Sequence, residues 1–141
     1  MVGHSSGAYL AVSVLADVLR AAPLDPSGPA LNFLSLGQVV PMVSFSPNAG
    51  RLRADLKYLA ICDQPAWVDV TALGDVCAFA LCAPVAVSGV APVPQKLLVM
   101  FSAAFSQTLS PARWKRLRWR FPRLHFQYLC AFDHQNDYDY F

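Results

Sequence analysis

Gly3 to Leu19 reads GHSSGAYLAVSVLADVL: a glycine, a histidine, two serines and a second glycine run without a breaker into an apolar stretch. From Gly7 onward, Tyr9, Leu10, Val12, Leu15, Val18 and Leu19 recur at helical spacing on a broad apolar face, as in a helix packed deep against a sheet. Pro23, Pro26, Gly28 and Pro29 end that helix near Ala22. Gly3, Ser5 and Gly7 stand in the spacing GxSxG, the nucleophile elbow, where a strand turns so sharply into a helix that the central serine projects above the sheet. Sterics ask for small residues at both flanks, because the serine backbone is strained and the glycines let strand and helix approach. The helix N-terminus would also aim N–H groups at a developing oxyanion.

The rest of the chain alternates. Leu31 to Leu36, closed by Gly37, reads as a strand buried on both faces of a parallel sheet, and Gln38 to Pro47 as an apolar loop or short turn. Asn48 is placed to cap a helix over Gly50 to Ile61, with Leu52, Leu56 and Leu59 on one side. Ala66 to Ala72 is the next strand, with Leu73, Gly74 and Asp75 as its exit turn. Val76 to Pro94 has no period and is expected to be an extended loop with a short strand near Val85 to Val87. Leu97 to Phe101 is expected as an edge strand. Ser110 and Pro111 open a helix expected to reach about Phe121, where Pro122 interrupts it before a further turn or two over Leu124 to Phe132. Strand, helix, strand, helix, strand is the mark of an α/β layered sheet, and 141 residues suffice for one domain.

The stretch GHSSGAYLA, with histidine before the candidate nucleophile, resembles the α/β-hydrolase superfamily and its lipase- and esterase-like members. The resemblance lies in the motif at the elbow and in topology elsewhere. It implies a partial α/β-hydrolase-like three-layer sandwich with a mostly parallel sheet, residues 1–141 forming a single incomplete domain. It further implies Ser5 as nucleophile, an acid and then a histidine following in chain order, an ester or acyl substrate (a small molecule or lipid), and no metal or organic cofactor.

A lone serine hydroxyl is a poor nucleophile; it needs a base within hydrogen-bond reach and a carboxylate to orient that base. In AWVDVTALGDVCAF, Asp75 lies in the exit turn, where it can swing over the sheet edge, and Asp69 within the strand is the alternative acid; Asp63 precedes the strand and ranks behind both. Two histidines follow. His125 sits among Leu124, Phe126 and Tyr128, which would keep an imidazole neutral, and is the candidate base. His134, beside Asp133 and Asp137, reads as a solvated surface histidine, while His4 is too close to the elbow to act as base and supports its loop. The backbone N–H of Ser6 is the oxyanion donor the chain itself retains.

Hydrophobic residues make up 55% of the chain, charged ones 14%, and glutamate is absent, a more buried profile than a free-standing domain usually shows. An elbow needs a feeding strand of about 5 residues, yet only Met1 and Val2 precede Gly3. The expectation is an N-terminally truncated fragment whose apolar surface is covered by the missing half of the domain or by another chain. The resemblance places the second oxyanion donor in that half, a loss worth about 10²- to 10³-fold in rate.

Pro26 to Gly50 and Val76 to Gln95 carry no charge, but their prolines and glycines would leave too many backbone groups unpaired in lipid for a spanning helix. No basic leader precedes Gly3. Cys62, Cys77, Cys82 and Cys130 form no CxxC pair, so their spacing marks no zinc site and they read as free thiols. The expected location is the cytoplasm or the cytoplasmic face of a membrane. A net charge of +2 does not argue for nucleic acid, and none is expected, although six of the eleven cations fall between Arg113 and Arg123. On a helix there, Trp114, Leu117 and Phe121 share one side, which either packs on the sheet or lies at a membrane surface, where each nearby cation adds about 1 kcal/mol. The rival to a hydrolase is thus a non-catalytic hydrolase-like module that binds a membrane surface or protein partner through its apolar faces and basic aromatic helix.

Overall fold

The computed structural model describes residues 1–22, 27–94 and 98–134. Strands β1 (Val2–His4), β2 (Asn32–Leu36), β3 (Ala66–Thr71) and β4 (Leu98–Ser102) form one sheet in sequence order, with every pairing parallel. The register sets Gly3 opposite Ser35, Ser35 opposite Asp69, and Asp69 opposite Met100. Helices α1 (Ser6–Ala21), α2 (Val40–Ser44), α3 (Gly50–Ile61) and α4 (Pro84–Val87) lie in the crossovers, and α5 (Phe105–Thr108), α6 (Pro111–Leu117), α7 (Phe121–His125) and a 3-10 turn over Phe126–Leu129 follow the last strand.

Parallel strands laid down in sequence order, joined by crossovers of one hand, send every crossover to the same face of the sheet. The packing follows that rule. Phe33 and Trp67, alternate residues of β2 and β3, share one apolar cluster with Val12 and Leu15 of α1, Leu52 and Leu56 of α3, and Val85 of α4. Leu36 and Val70 project the other way, into a second cluster with Phe105, Leu117, Leu124 and Tyr128 from the segment after β4. One face is therefore covered by crossovers and the other by the C-terminal helices. Helices α1 and α3 are further joined through Asp55, a buried carboxylate that accepts hydrogen bonds from Ser13 Oγ (2.9 Å) and Arg20 (2.6 Å). Without those partners its burial would be costly.

Several local expectations are revised. Residues 38–47 are not merely a loop, since Pro41 at the first turn supports the short helix α2. Val85 to Val87 is a helical turn begun by Pro84, not a strand, and its Val85 is fully buried under α3. Asn48 does not cap α3, whose first residue follows Ala49 with no side-chain cap. Ser110 precedes α6 as expected, but its hydroxyl makes no cap bond; its backbone N–H instead donates to Asp133 Oδ2 at 2.8 Å. The broad apolar face of α1 is buried only in part, with Leu10, Val14 and Val18 exposed. The basic helix divides: α6 stops at Leu117, and Pro122 begins α7 rather than interrupting one long helix. Leu117 and Trp114 pack into the second cluster, whereas Phe121 begins the separate helix α7 and is exposed, so the three do not form the face of one helix. Among the described residues no helix is long and apolar enough to cross a membrane.

Candidate active site

In a parallel sheet all strands end on the same edge, and loops there converge. Ser5 leaves β1 at that edge, Gly37 leaves β2, and the turn holding Asp75 follows β3. Ser5 takes φ 55° and ψ −126°, a conformation side chains rarely adopt and one that costs on the order of 1–3 kcal/mol. Its neighbours impose it. Its N–H donates to Leu36 O (3.0 Å) while its carbonyl already accepts from Ala8 N–H (3.1 Å) as α1 begins, which leaves one residue to complete the bend. Gly3 is needed for close approach, because a Cβ there would lie 2.8 Å from Ala8 Cα. Gly7, expected to be needed for the same reason, faces open space. Ser6 is the first residue of α1, where a backbone N–H has no intrahelical partner and stays available to an anion.

Asp75 is held by a turn in which its N–H donates to Ala72 O (2.9 Å) and its Oδ1 accepts from Cys77 N–H (3.0 Å). Its Oδ2 faces His125 Nδ1 at 2.6 Å, both side chains buried. The carboxylate accepts, so in the neutral ring it is Nδ1 that carries the hydrogen and Nε2 that holds the lone pair. Among the described residues that buried Nε2 has no hydrogen-bond partner, the Ser5 hydroxyl included. Asp69, the other candidate acid, does not approach His125: it lies inside the sheet, its Oδ1 accepting from Ser35 Oγ (2.5 Å), whose oxygen accepts from Trp67 Nε1 (2.8 Å). Burial pushes the Asp69 carboxyl up to about 7, opposed in part by the Ser35 hydroxyl and the Gln38 amide. Asp63 follows the end of α3 before β3, away from the turn that holds Asp75.

Two contacts bring the serine loop and His125 together. Gly37, with φ +53°, leaves room for the histidine ring; a Cβ there would lie 3.1 Å from His125 Cε1 and 2.5 Å from Tyr128 Cε2. The peptide just before it supplies the carbonyl of Leu36 that fixes Ser5. His4 Nε2, one residue before Ser5, lies 3.0 Å from the backbone carbonyl of His125 and must donate to it, with the two rings 4.7 Å apart. Burial lowers the His4 pKa, the bond to the His125 carbonyl opposing it, so the neutral ring is the form favoured. His4 thus ties the loop before Ser5 to the backbone of His125. His134 is exposed, as expected of a surface histidine, and its backbone N–H donates to Thr108 O (3.1 Å).

In the sequence, Gly37 is only the glycine that closes a strand and Cys77 only one of four free thiols. A glycine closing a parallel strand was the available sign of the first; nothing local marked the second. The Cys77 thiol is exposed, and Asp75, Cys77 and His125 each offer a donor atom within 4.8 Å of the others. A groove lined by Gly74, Val76, Trp114, Trp119 and Phe121 borders the Asp75 turn. Comparison with protein-family models, curated proteins and solved structures finds no match to this chain.

Proposed function

We propose that this protein is a serine hydrolase of the esterase or lipase type, with an α/β-hydrolase-like arrangement of its elbow, acid and base. The observation that carries the proposal is the buried 2.6 Å pairing of Asp75 with His125 Nδ1, which leaves Nε2 unspent beside the loop that fixes Ser5. A purely structural ion pair gives no reason to leave one imidazole nitrogen sheltered and unpartnered beside the Gly37 turn whose preceding carbonyl fixes Ser5.

The chemistry follows from those placements. Rotation of the Ser5 side chain toward Nε2 lets the base take the hydroxyl proton as the oxygen attacks the acyl carbon. Asp75 keeps the imidazole in the required tautomer and stabilises the imidazolium. The Ser6 N–H, at the start of α1, faces the oxyanion. Collapse of the tetrahedral intermediate expels the alcohol, which takes the proton from Nε2, and water then releases the acid by the reverse path. The apolar groove beside the Asp75 turn suits the hydrocarbon part of an ester or acyl substrate.

A fluorophosphonate probe tests this directly. Wild-type protein is expected to carry one adduct on Ser5 by peptide mass spectrometry, with none in Ser5→Ala. Folded protein whose Ser5 stays unlabelled would favour the rival, a non-catalytic module that binds a membrane surface or protein partner.

A further inference from the structure

We propose that Asp75, Cys77 and His125 form a zinc-binding site, and that an ion there reversibly silences the base. The site itself stands on geometry alone; its regulatory consequence rests on the hydrolase reading above.

A carboxylate oxygen, a thiol sulfur and an imidazole nitrogen all lie within 4.8 Å of one another. Cys77 N–H donates to Asp75 Oδ1 at 3.0 Å, which ties the thiol-bearing turn to the carboxylate before any ion arrives. Cys77 is exposed whereas Asp75 and His125 are buried, so an ion would enter past the sulfur and settle on donors already sheltered from water. Mixed nitrogen, oxygen and sulfur donors select zinc over the hard cations, which take oxygen alone. Tetrahedral zinc with bonds of about 2.0–2.3 Å sets its donors roughly 3.3–3.8 Å apart. The Asp75 to His125 contact of 2.6 Å must therefore open, and a pair at the 4.8 Å limit must close by about 1 Å. Three protein donors leave the fourth position to water and make the ion exchangeable.

The cost falls on the base. An ion on Nδ1 removes the hydrogen bond to Asp75 and obliges Nε2 to carry the ring hydrogen, so His125 has no lone pair for the Ser5 proton. Cysteine spacing could not reveal the site, because His125 lies fifty residues from Asp75 in sequence.

Chelator-treated protein is titrated with Co²⁺ as a spectroscopic stand-in, then with Zn²⁺. One Co²⁺ per chain with a thiolate-to-cobalt charge-transfer band is expected, displaced by zinc. Cys77→Ser should lose the band and bind zinc at least about tenfold more weakly, while Cys82→Ser behaves as wild type. Failure of wild type to hold an ion, or an unchanged band in Cys77→Ser, overturns the site. In a second arm, Zn²⁺ at a concentration that fills wild type but leaves Cys77→Ser largely empty should slow fluorophosphonate labelling of Ser5 in wild type and not in the variant; unchanged wild-type labelling overturns the regulatory role. Metal uptake by a protein that never labels would sink the hydrolase reading and leave the site standing.

Discussion

Asp69→Asn should make stability less dependent on pH, in a direction and range set by the structure. Asp69 is fully buried in β3, with Oδ1 accepting from Ser35 Oγ and Oδ2 unpartnered, and burial raises its carboxyl to about 7. In the unfolded chain the same group titrates near its ordinary value of about 4. Below pH 4 it is neutral in both states and imposes no charge penalty. Between about pH 4 and 7 the unfolded chain releases the proton and the folded one retains it, so stability falls as pH rises. Above about 7 both are ionised and the loss is complete. Three pH units at about 1.4 kcal/mol each give a loss on the order of 4 kcal/mol, a large share of the 5–15 kcal/mol typical of a domain.

Asparagine keeps the acceptor for Ser35 and cannot ionise. Its amide N–H lacks a partner where Oδ2 lacked one, a cost of about 1–3 kcal/mol that does not vary with pH. The slope is therefore the test, not the absolute stability. Urea unfolding followed by tryptophan fluorescence, with Trp67 buried beside the site, would be run on both proteins from pH 4.5 to 8.5. The stability of Asp69→Asn relative to wild type is expected to improve by about 3 kcal/mol across the range and to level off above about pH 7. A difference constant within about 0.5 kcal/mol would refute the reasoning.

Other expectations follow from the site. Asp75→Asn should keep the fold and lower kcat by about 10⁴-fold in an ester-hydrolysis assay, because the amide favours the wrong tautomer of His125. Gly37→Ala should cost roughly 2–4 kcal/mol in urea unfolding, since a Cβ 2.5 Å from Tyr128 Cε2 adds overpacking to a strained φ of +53°. His4→Ala removes the donor to the His125 carbonyl, and the unsatisfied acceptor should cost about 1–3 kcal/mol. That variant should also lower the rate of Ser5 labelling, whereas His4→Gln, whose amide can donate, should recover part of it.

The elements were legible where periodicity and punctuation agree. The helix after the elbow and the helix over Gly50 to Ile61 match α1 and α3, and the three later strands fall within a residue or two of their expected ends. The misreadings share a cause. Residues 76–94 lack a period, so the turn Pro84–Val87 arises from burial of Val85 beneath α3, which no local pattern encodes. Helical spacing carries the basic segment as one helix to about Phe121, whereas α6 stops at Leu117 and Pro122, with its φ fixed for a first turn, lets the chain restart at Phe121 and bring Leu124 and Tyr128 onto the sheet. The candidate site was legible as residue types in order. Its place in the exit turn favours Asp75 over Asp69 within β3, but which of them meets His125 depends on how the C-terminal segment packs on the sheet.

By itself the sequence determined that a strained serine would sit between a strand and a buried helix, since GxSxG before an apolar periodic run fixes local backbone geometry through sterics. It also determined the parallel α/β layering, through the alternation of short apolar runs with helical ones. Only the tertiary structure decided which carboxylate meets His125, that Gly37 makes room for its ring, and that Cys77 stands beside the pair. Those relations join residues from different strands and from the far end of the chain, and contact across such separations is set by register and packing rather than by spacing.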